Sequence, residues 1–226
     1  MRCGLVQNER VLTFVPVPES WKGRALVVES IEGALETWFS DVEIAEAATF
    51  ARERRREEWL LSRYAAKRLA ADRAAATDPR AIVIVRPRLA NGSWISISHS
   101  RGAAAAAVDD APVGIDVERV RHIDERVARH FMVEGEIADM QRCTIPNRIL
   151  HWWCAKEAAW KQLGGAARFL KQVPLRLEGE TETALRFRSV ETYAVGDYVM
   201  ALTVGRPVGP PDGPPEAVDE PTFPTS

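Results

Sequence analysis

The chain has little cysteine, no long apolar run and almost no net charge, and each shortage removes a class of function. Its three cysteines, Cys3, Cys143 and Cys154, are odd in number and widely separated among 226 residues. A disulfide framework is therefore not expected, and a reducing compartment, the cytoplasm, fits best. Cys143, His151 and Cys154 also lack the compact spacing and the matched fourth ligand of a zinc site. No apolar stretch approaches bilayer-spanning length, and the N-terminus lacks the charged-then-apolar pattern of a signal peptide. No membrane partner is expected. Thirty Lys and Arg against 32 Asp and Glu leave a formal charge of −2. That balance argues against a dedicated nucleic-acid binder, so any attraction for phosphate must be local. Glycine-rich phosphate loops of the Walker or dinucleotide type are absent too.

What is present is an ordinary globular composition, 46% hydrophobic and 27% charged, long enough for one large core or two small ones. Strand-like segments fall at 10–17 and 25–28. Ser40 followed by Glu43 forms a capping-box pattern that predicts a short helix from about Asp41. Residues 52–76 hold no Gly or Pro, and Trp59, Leu60, Tyr64, Ala65 and Leu69 follow helical spacing, which predicts a long helix. Residues 81–85 are β-branched, Asn91-Gly92 reads as a hairpin turn, and 94–98 alternate as a strand. The alanine run 103–108 is expected to be a strand paired with 113–117. Helices are expected at 124–131, 134–141 and 147–163, the last stopped by Gly164-Gly165. Strands follow at 175–177, 184–190 and 198–204. Beyond Gly205 the chain carries seven prolines and no periodicity, so 206–226 is expected to be a disordered tail.

A major helix and several strands recur in each half, which predicts an α+β fold built from two similar α+β halves, 1–110 and 111–205. The halves are not visibly alike in sequence.

Three segments carry chemistry. In Val113-Gly-Ile-Asp-Val-Glu-Arg119, strand alternation sends Asp116 and Glu118 out on one face and Val113, Ile115 and Val117 out on the other. Neighbouring carboxylates repel, and a hard cation, a shared proton or plain solvation relieves them. Gly114 shares the acidic face and leaves room there for a ligand. In Ile95-Ser-Ile-Ser-His-Ser100 the serines and His99 leave on opposite sides, so Ser98 and His99 do not form a nucleophilic couple. A histidine and hydroxyls at a strand end suit phosphate oxygens, or simply a polar strand terminus. In Trp153-Cys-Ala-Lys-Glu-Ala-Ala-Trp-Lys161, Trp153, Glu157 and Lys161 share one side of a helix, with Lys156 beside them. That line is a surface ion pair or a partly buried one seeking a metal and a phosphate.

In this order and with these gaps, the segments Ile97-Ser-His-Ser100, Gly114-Ile-Asp-Val-Glu118 and Trp153-Cys-Ala-Lys-Glu-Ala-Ala-Trp-Lys161 resemble the Sfp-type 4′-phosphopantetheinyl transferases. Arg54-Arg-Arg-Glu-Glu-Trp-Leu-Leu-Ser-Arg63, followed by Lys67, is similar to the family's N-terminal basic helix. The resemblance runs from about residue 50 to 205. It implies a pseudodimeric fold in a single chain acting as a monomer. It also implies transfer of phosphopantetheine from coenzyme A to a serine of an acyl or peptidyl carrier protein, leaving 3′,5′-ADP. It implies Mg²⁺ on Asp116, Glu118 and Glu157, with Lys161 and His99 on the phosphates and Glu136 as the base. Glu134 is a close rival for the last role. Arg55, Arg63, Lys67, Arg86 and Ser98 are the further coenzyme A candidates.

Two departures stand out. Val85-Arg-Pro87 replaces the family's Gly-Lys-Pro, and its later Gly-x-Gly is reduced to Gly164-Gly165. A non-catalytic coenzyme A or carrier-binding module, and a metal-dependent nucleotide pyrophosphate hydrolase, are the alternatives. The carrier itself is not legible.

Overall fold

The computed structural model describes residues 13–14, 23–74, 78–85, 88–89, 91–164 and 166–205. Cys3, Arg86, Gly165, the proline-rich tail and most of the strand expected at 10–17 lie outside them. The first half runs β1 (Thr13–Phe14), β2 (Arg24–Val28), α1 (Leu35–Trp38), α2 (Asp41–Ala48) and α3 (Glu53–Ala74). It continues through β3 (Ile84–Val85), β4 (Arg88–Leu89), β5 (Trp94–Ser100) and β6 (Ala103–Asp109). The second half runs β7 (Ile115–Arg119), α4 (Ala128–Phe131), α5 (Glu134–Arg142) and α6 (Arg148–Gln162). Strands β8 (Leu177–Glu180), β9 (Ala184–Phe187), β10 (Val190–Val195) and β11 (Tyr198–Thr203) complete it.

These strands form two antiparallel sheets, β1-β2-β6-β5-β4-β3 and β7-β11-β10-β9-β8. From β2 onward the first order is repeated strand for strand by the second. In each half, two short helices and one long helix connect the first strand to the meander that pairs back onto it. The expected pair of similar α+β halves is therefore present in the topology.

A second repetition lies in the helix contacts. Lys67 on α3 is fully buried; its Nζ lies 2.8 Å from Glu43 of α2 and donates to the Pro79 carbonyl at 2.8 Å. Lys156 on α6 is also fully buried; its Nζ lies 2.7 Å from Glu136 of α5 and donates to the Val173 carbonyl at 2.6 Å. Each glutamate also accepts the backbone N–H three residues before it, that of Ser40 or of Val133, at 3.0 Å. A buried ammonium is tolerated only when paired and hydrogen-bonded. Both halves meet that demand with the same parts.

The core has three sections. Helix α3 covers one face of the first sheet, packing Leu60, Tyr64, Ala65 and Leu69 on Leu26, Ile95, Ile97 and Val108. Helix α6 covers the second sheet in the same way, with Leu150, Trp152 and Ala155 over Phe187, Val190 and Val199. The remaining faces meet each other, Ala103, Ala105 and Ala107 against Ile115, Met200 and Leu202. The layers run helix, sheet, sheet, helix.

This layering corrects the expectation for the alanine run. β6 pairs with β2 and β5, not with 113–117, and meets β7 only face to face. Ala104 and Ala106 face α3, while Ala103, Ala105 and Ala107 face the other sheet. Small side chains on both faces let two layers approach at once. The later strands also shift: the one expected at 184–190 ends at Phe187, and 190–195 forms a strand of its own.

Gly114 has a different cause from the one expected. A Cβ there would stand 1.8 Å from the Ala158 carbonyl oxygen and 3.0 Å from the Gln162 backbone nitrogen. The backbone of α6, not a ligand, fills the space that glycine leaves. Gly114→Ala is expected to push α6 off β7 and cost roughly 1–3 kcal/mol, read by denaturant unfolding; parental stability would contradict this packing.

Candidate active site

Strand β7 is the edge of its sheet, and an edge leaves backbone groups unpaired. Side chains from β5 take two of them. Ser96 Oγ accepts the Ile115 N–H at 3.0 Å, and Ser100 Oγ accepts the Arg119 N–H at 3.2 Å. The hydroxyls also orient the two acids. Ser98 Oγ donates to Asp116 Oδ1 at 2.7 Å and Ser100 Oγ donates to Glu118 Oε2 at 2.8 Å. Alternation along β5 turns every second residue to this seam, and His99 faces the other way, toward α3.

Helix α6 supplies the second wall. Lys161 Nζ donates to Asp116 Oδ1 at 2.7 Å and to the Ile115 carbonyl at 3.0 Å. Glu157 stands one turn earlier. Burial pushes its carboxyl above the ordinary value, and the Asp116 and Glu118 charges push it further while Lys161 pulls it back. Trp153, one more turn back, packs edge-on against Phe131 at 5.0 Å. Beneath them Cys154 is fully buried, and burial lifts its thiol well above the usual range. On the same helix His151 is a core residue: its Nδ1 lies 2.7 Å from Thr192 Oγ1, and burial lowers its pKa to about 4.

Helix α3 forms the opposite wall. The Arg63 guanidinium lies 3.8 Å from the centre of the Trp59 ring, within 3.9 Å of Glu43 and Glu46. Arg55 and His99 both approach Glu58 at 3.8 Å. Together the walls enclose a cleft of about 410 Å³. It is lined by Arg55, Arg63, Ser98, His99, Asp116, Glu118, Glu157 and Lys161, and also by Trp59, Ser62 and Trp153. Eight of the residues singled out from the sequence thus share one cavity at the seam of the two halves.

The cleft is polarised, with carboxylates on the β7 and α6 side and cations on the α3 side. Asp116 is buried, and its Oδ2 has no hydrogen-bond partner. A bare buried carboxylate oxygen beside two more acids is a donor set for a hard cation. The three acids share the cleft without closing on one point: among the described residues no three His, Cys, Asp or Glu form a ready metal cage.

The model of the 4′-phosphopantetheinyl transferase superfamily matches residues 112–203, the span that carries β7, α6 and their acids. The chain is 32% identical over 123 residues to the 4′-phosphopantetheinyl transferase psf-1 of Bacillus pumilus, covering 50% of this chain and 53% of that protein. It is 28% identical over 123 residues to the 4′-phosphopantetheinyl transferase Sfp of Bacillus subtilis (strain 168), covering 50% and 55%. A third relative, gsp of Aneurinibacillus migulanus, is 33% identical over 72 residues, 30% of each chain. Over residues 112–203 the chain is thus similar to the 4′-phosphopantetheinyl transferase superfamily. The matches with psf-1 and Sfp span about half the length of each relative.

Several sequence expectations about the site need correction. Glu136 does not face the cleft: it is buried, with Oε1 on Lys156 and on the Leu175 N–H at 3.0 Å and Oε2 on the Val133 N–H. With both oxygens engaged, it is a structural anchor and is not placed to take a substrate proton. Glu134 is exposed and pairs with Arg129 at 3.5 Å, also outside the cleft lining. Lys67 and Lys156 are enclosed by their glutamates and carbonyls, so neither reaches a phosphate. Ser98 lines the cleft as expected, and there its hydroxyl donates to Asp116 Oδ1 and orients the acid. Arg86 lies outside the described residues. Glu58 and Ser62 were missed, because an acid and a serine inside a basic helix look like its solvated face.

Two outcomes follow from these environments. Glu157 binds its proton more tightly folded than unfolded, so stability falls as pH rises through its raised pKa. Glu157→Gln, with chelator present, should therefore melt higher than the parent at neutral pH. The gain should vanish once the pH drops below the ordinary carboxylate range; a gain that persisted there would contradict the cause. Glu136→Gln should cost about 3–5 kcal/mol in chemical denaturation, because it leaves the Lys156 charge buried and unpaired. A shift within ±0.5 kcal/mol, the usual range for a surface change, would contradict the pairing.

Proposed function

We propose that this protein is a 4′-phosphopantetheinyl transferase that moves the 4′-phosphopantetheine arm of coenzyme A to a serine hydroxyl of an acyl or peptidyl carrier protein, with Mg²⁺, leaving 3′,5′-ADP. One observation carries the reading. Asp116 is buried with one oxygen held by Ser98 and Lys161 and the other bare, in a cleft whose far wall is cationic. A pyrophosphate that arrives with a divalent cation is the kind of ligand that would satisfy both walls. The names of the relatives support the same group transfer.

Attack of a hydroxyl on a pyrophosphate phosphorus needs charge neutralisation, alignment and a proton acceptor. Asp116, Glu118 and Glu157 would hold the Mg²⁺, which needs only one or two carboxylates beside phosphate oxygens and water. When bound, the ion would offset the charge that builds on the pyrophosphate oxygens. Lys161 stands at the Asp116 end of the cleft, from which its ammonium can turn to a phosphate oxygen. His99, Arg55 and Arg63 face the opposite end and would bind the 3′-phosphate side of coenzyme A. Trp59 and Trp153 add apolar surface to the cleft lining. The serine proton goes to a carboxylate of the cleft.

Both walls come from one chain, so we take the working unit to be a monomer, acting in the cytoplasm. No helix among the described residues is long and apolar enough to cross a membrane. The test incubates the protein with coenzyme A, Mg²⁺ and apo-carrier protein and follows the carrier by mass. The carrier is expected to gain one phosphopantetheine, and Asp116→Ala to lower the rate by at least on the order of 100-fold. The double variant Glu136→Gln with Lys156→Met should keep the activity, since the pair lies outside the cleft. No gain across several carrier types would refute the transfer. Coenzyme A cleaved without a carrier would mark a hydrolase, and coenzyme A bound without turnover a binding module.

A further inference from the structure

We infer that Glu58 is a positioning residue that holds His99 and Arg55 ready for a phosphate. The inference deepens the transferase reading and rests on the cleft being an anion site. Glu58 sits on α3, and its side chain is 12% exposed. Its Oε2 lies 3.8 Å from both Arg55 Nη1 and His99 Nδ1, and its Oε1 lies 3.7 Å from Arg54 Nε. Its backbone carbonyl accepts the Ser62 hydroxyl at 2.6 Å, which ties the same turn of helix to another cleft residue. Arg55, Ser62 and His99 line the cleft.

An acid behind a wall that must attract a polyanion opposes long-range attraction. Its local effect runs the other way. Arg55 is 60% exposed, so without a partner its long side chain samples solvent and must be ordered when a ligand arrives. Arg55 and a protonated His99 also repel each other, and a carboxylate between them offsets that repulsion. Drawing the Nδ1 side of His99 toward Glu58 sets the direction of the ring in the cleft wall, the arrangement by which a carboxylate orients a functional imidazole. At 3.7–3.8 Å these are ion-pair contacts and not direct hydrogen bonds. The hold is electrostatic.

The two effects predict opposite signs, which makes the role testable. The measurement is the calorimetric affinity for 3′,5′-ADP, the nucleotide half of coenzyme A. It is made on the parent, on Glu58→Gln, and on Glu58→Gln in a background of Arg55→Ala with His99→Gln. Positioning predicts binding about three- to tenfold weaker in Glu58→Gln. It also predicts an unchanged melting temperature and little further loss when the change is made in the background. Tighter or unchanged binding in Glu58→Gln would leave only the long-range charge and overturn the inference. A full loss that persists in the background would show a structural effect and overturn it too. A parent that does not bind the nucleotide overturns both this inference and the transferase reading, whereas binding with the wrong sign overturns only the first.

Discussion

The hydroxyl ladder between β5 and β7 is the contact on which the cleft depends. Two sheets meet there, and neither extends into the other by backbone pairing. Ser96 and Ser100 take the Ile115 and Arg119 N–H groups that the β7 edge leaves open, while Ser98 and Ser100 hold Asp116 and Glu118. Each such bond contributes only about 0.5–1.5 kcal/mol net, but a buried group left unmade costs about 1–3. One set of side chains therefore joins the halves and aims the acids. The seam and the site are the same structure, so the acids cannot drift without the halves parting.

The buried lysines explain how the long helices reach that seam in register. Lys67 fastens α3 to α2 and Lys156 fastens α6 to α5, each through a glutamate near the start of the short helix. The pins also show where the halves have diverged. One residue after the pinning lysine stands Arg68 in the first half and Glu157 in the second; five residues after it stand Asp72 and Lys161. Arg68 pairs with Glu32 at 2.9 Å, away from the cleft lining. The second half carries the acid-and-lysine line, and the first half turns its helix into a cationic wall. The two halves are equal frames, and the site uses them unequally.

Much of this was legible in the chain, and the misses share one cause. Periodicity located α3 and α6, the Ser40–Glu43 capping box located α2, and strand alternation separated Ser98 from His99. The motif order brought Asp116, Glu118, Glu157 and Lys161 to one place. Local patterns report which side of an element a residue takes, and those readings held. They do not report what lies on that side. Lys67, Lys156 and Glu136 look like surface charges in sequence, and only the packing of a second helix shows that they are enclosed. The alanine run could not reveal its partners, because small residues fit between any two layers. Gly114 read as room for a ligand when it is room for the α6 backbone.

The near-zero net charge is consistent with a phosphate site once charge is read wall by wall. A uniformly basic cleft would attract a polyanion and also any nucleic acid. Here Arg55, Arg63 and His99 face Asp116, Glu118 and Glu157 across one cavity, and Lys161 stands among the acids. A bare polyanion meets repulsion at the acidic end. A bare cation meets repulsion at the basic end and competition from Lys161 for Asp116. Only a ligand that brings positive charge to one end and phosphate to the other satisfies the whole surface. Under the proposed function the arrangement would favour metal and phosphate together over either alone, with carboxylates whose burial costs stability. Strain of that kind, concentrated at the seam of an otherwise well-satisfied core, is what separates this cleft from a solvated strand edge.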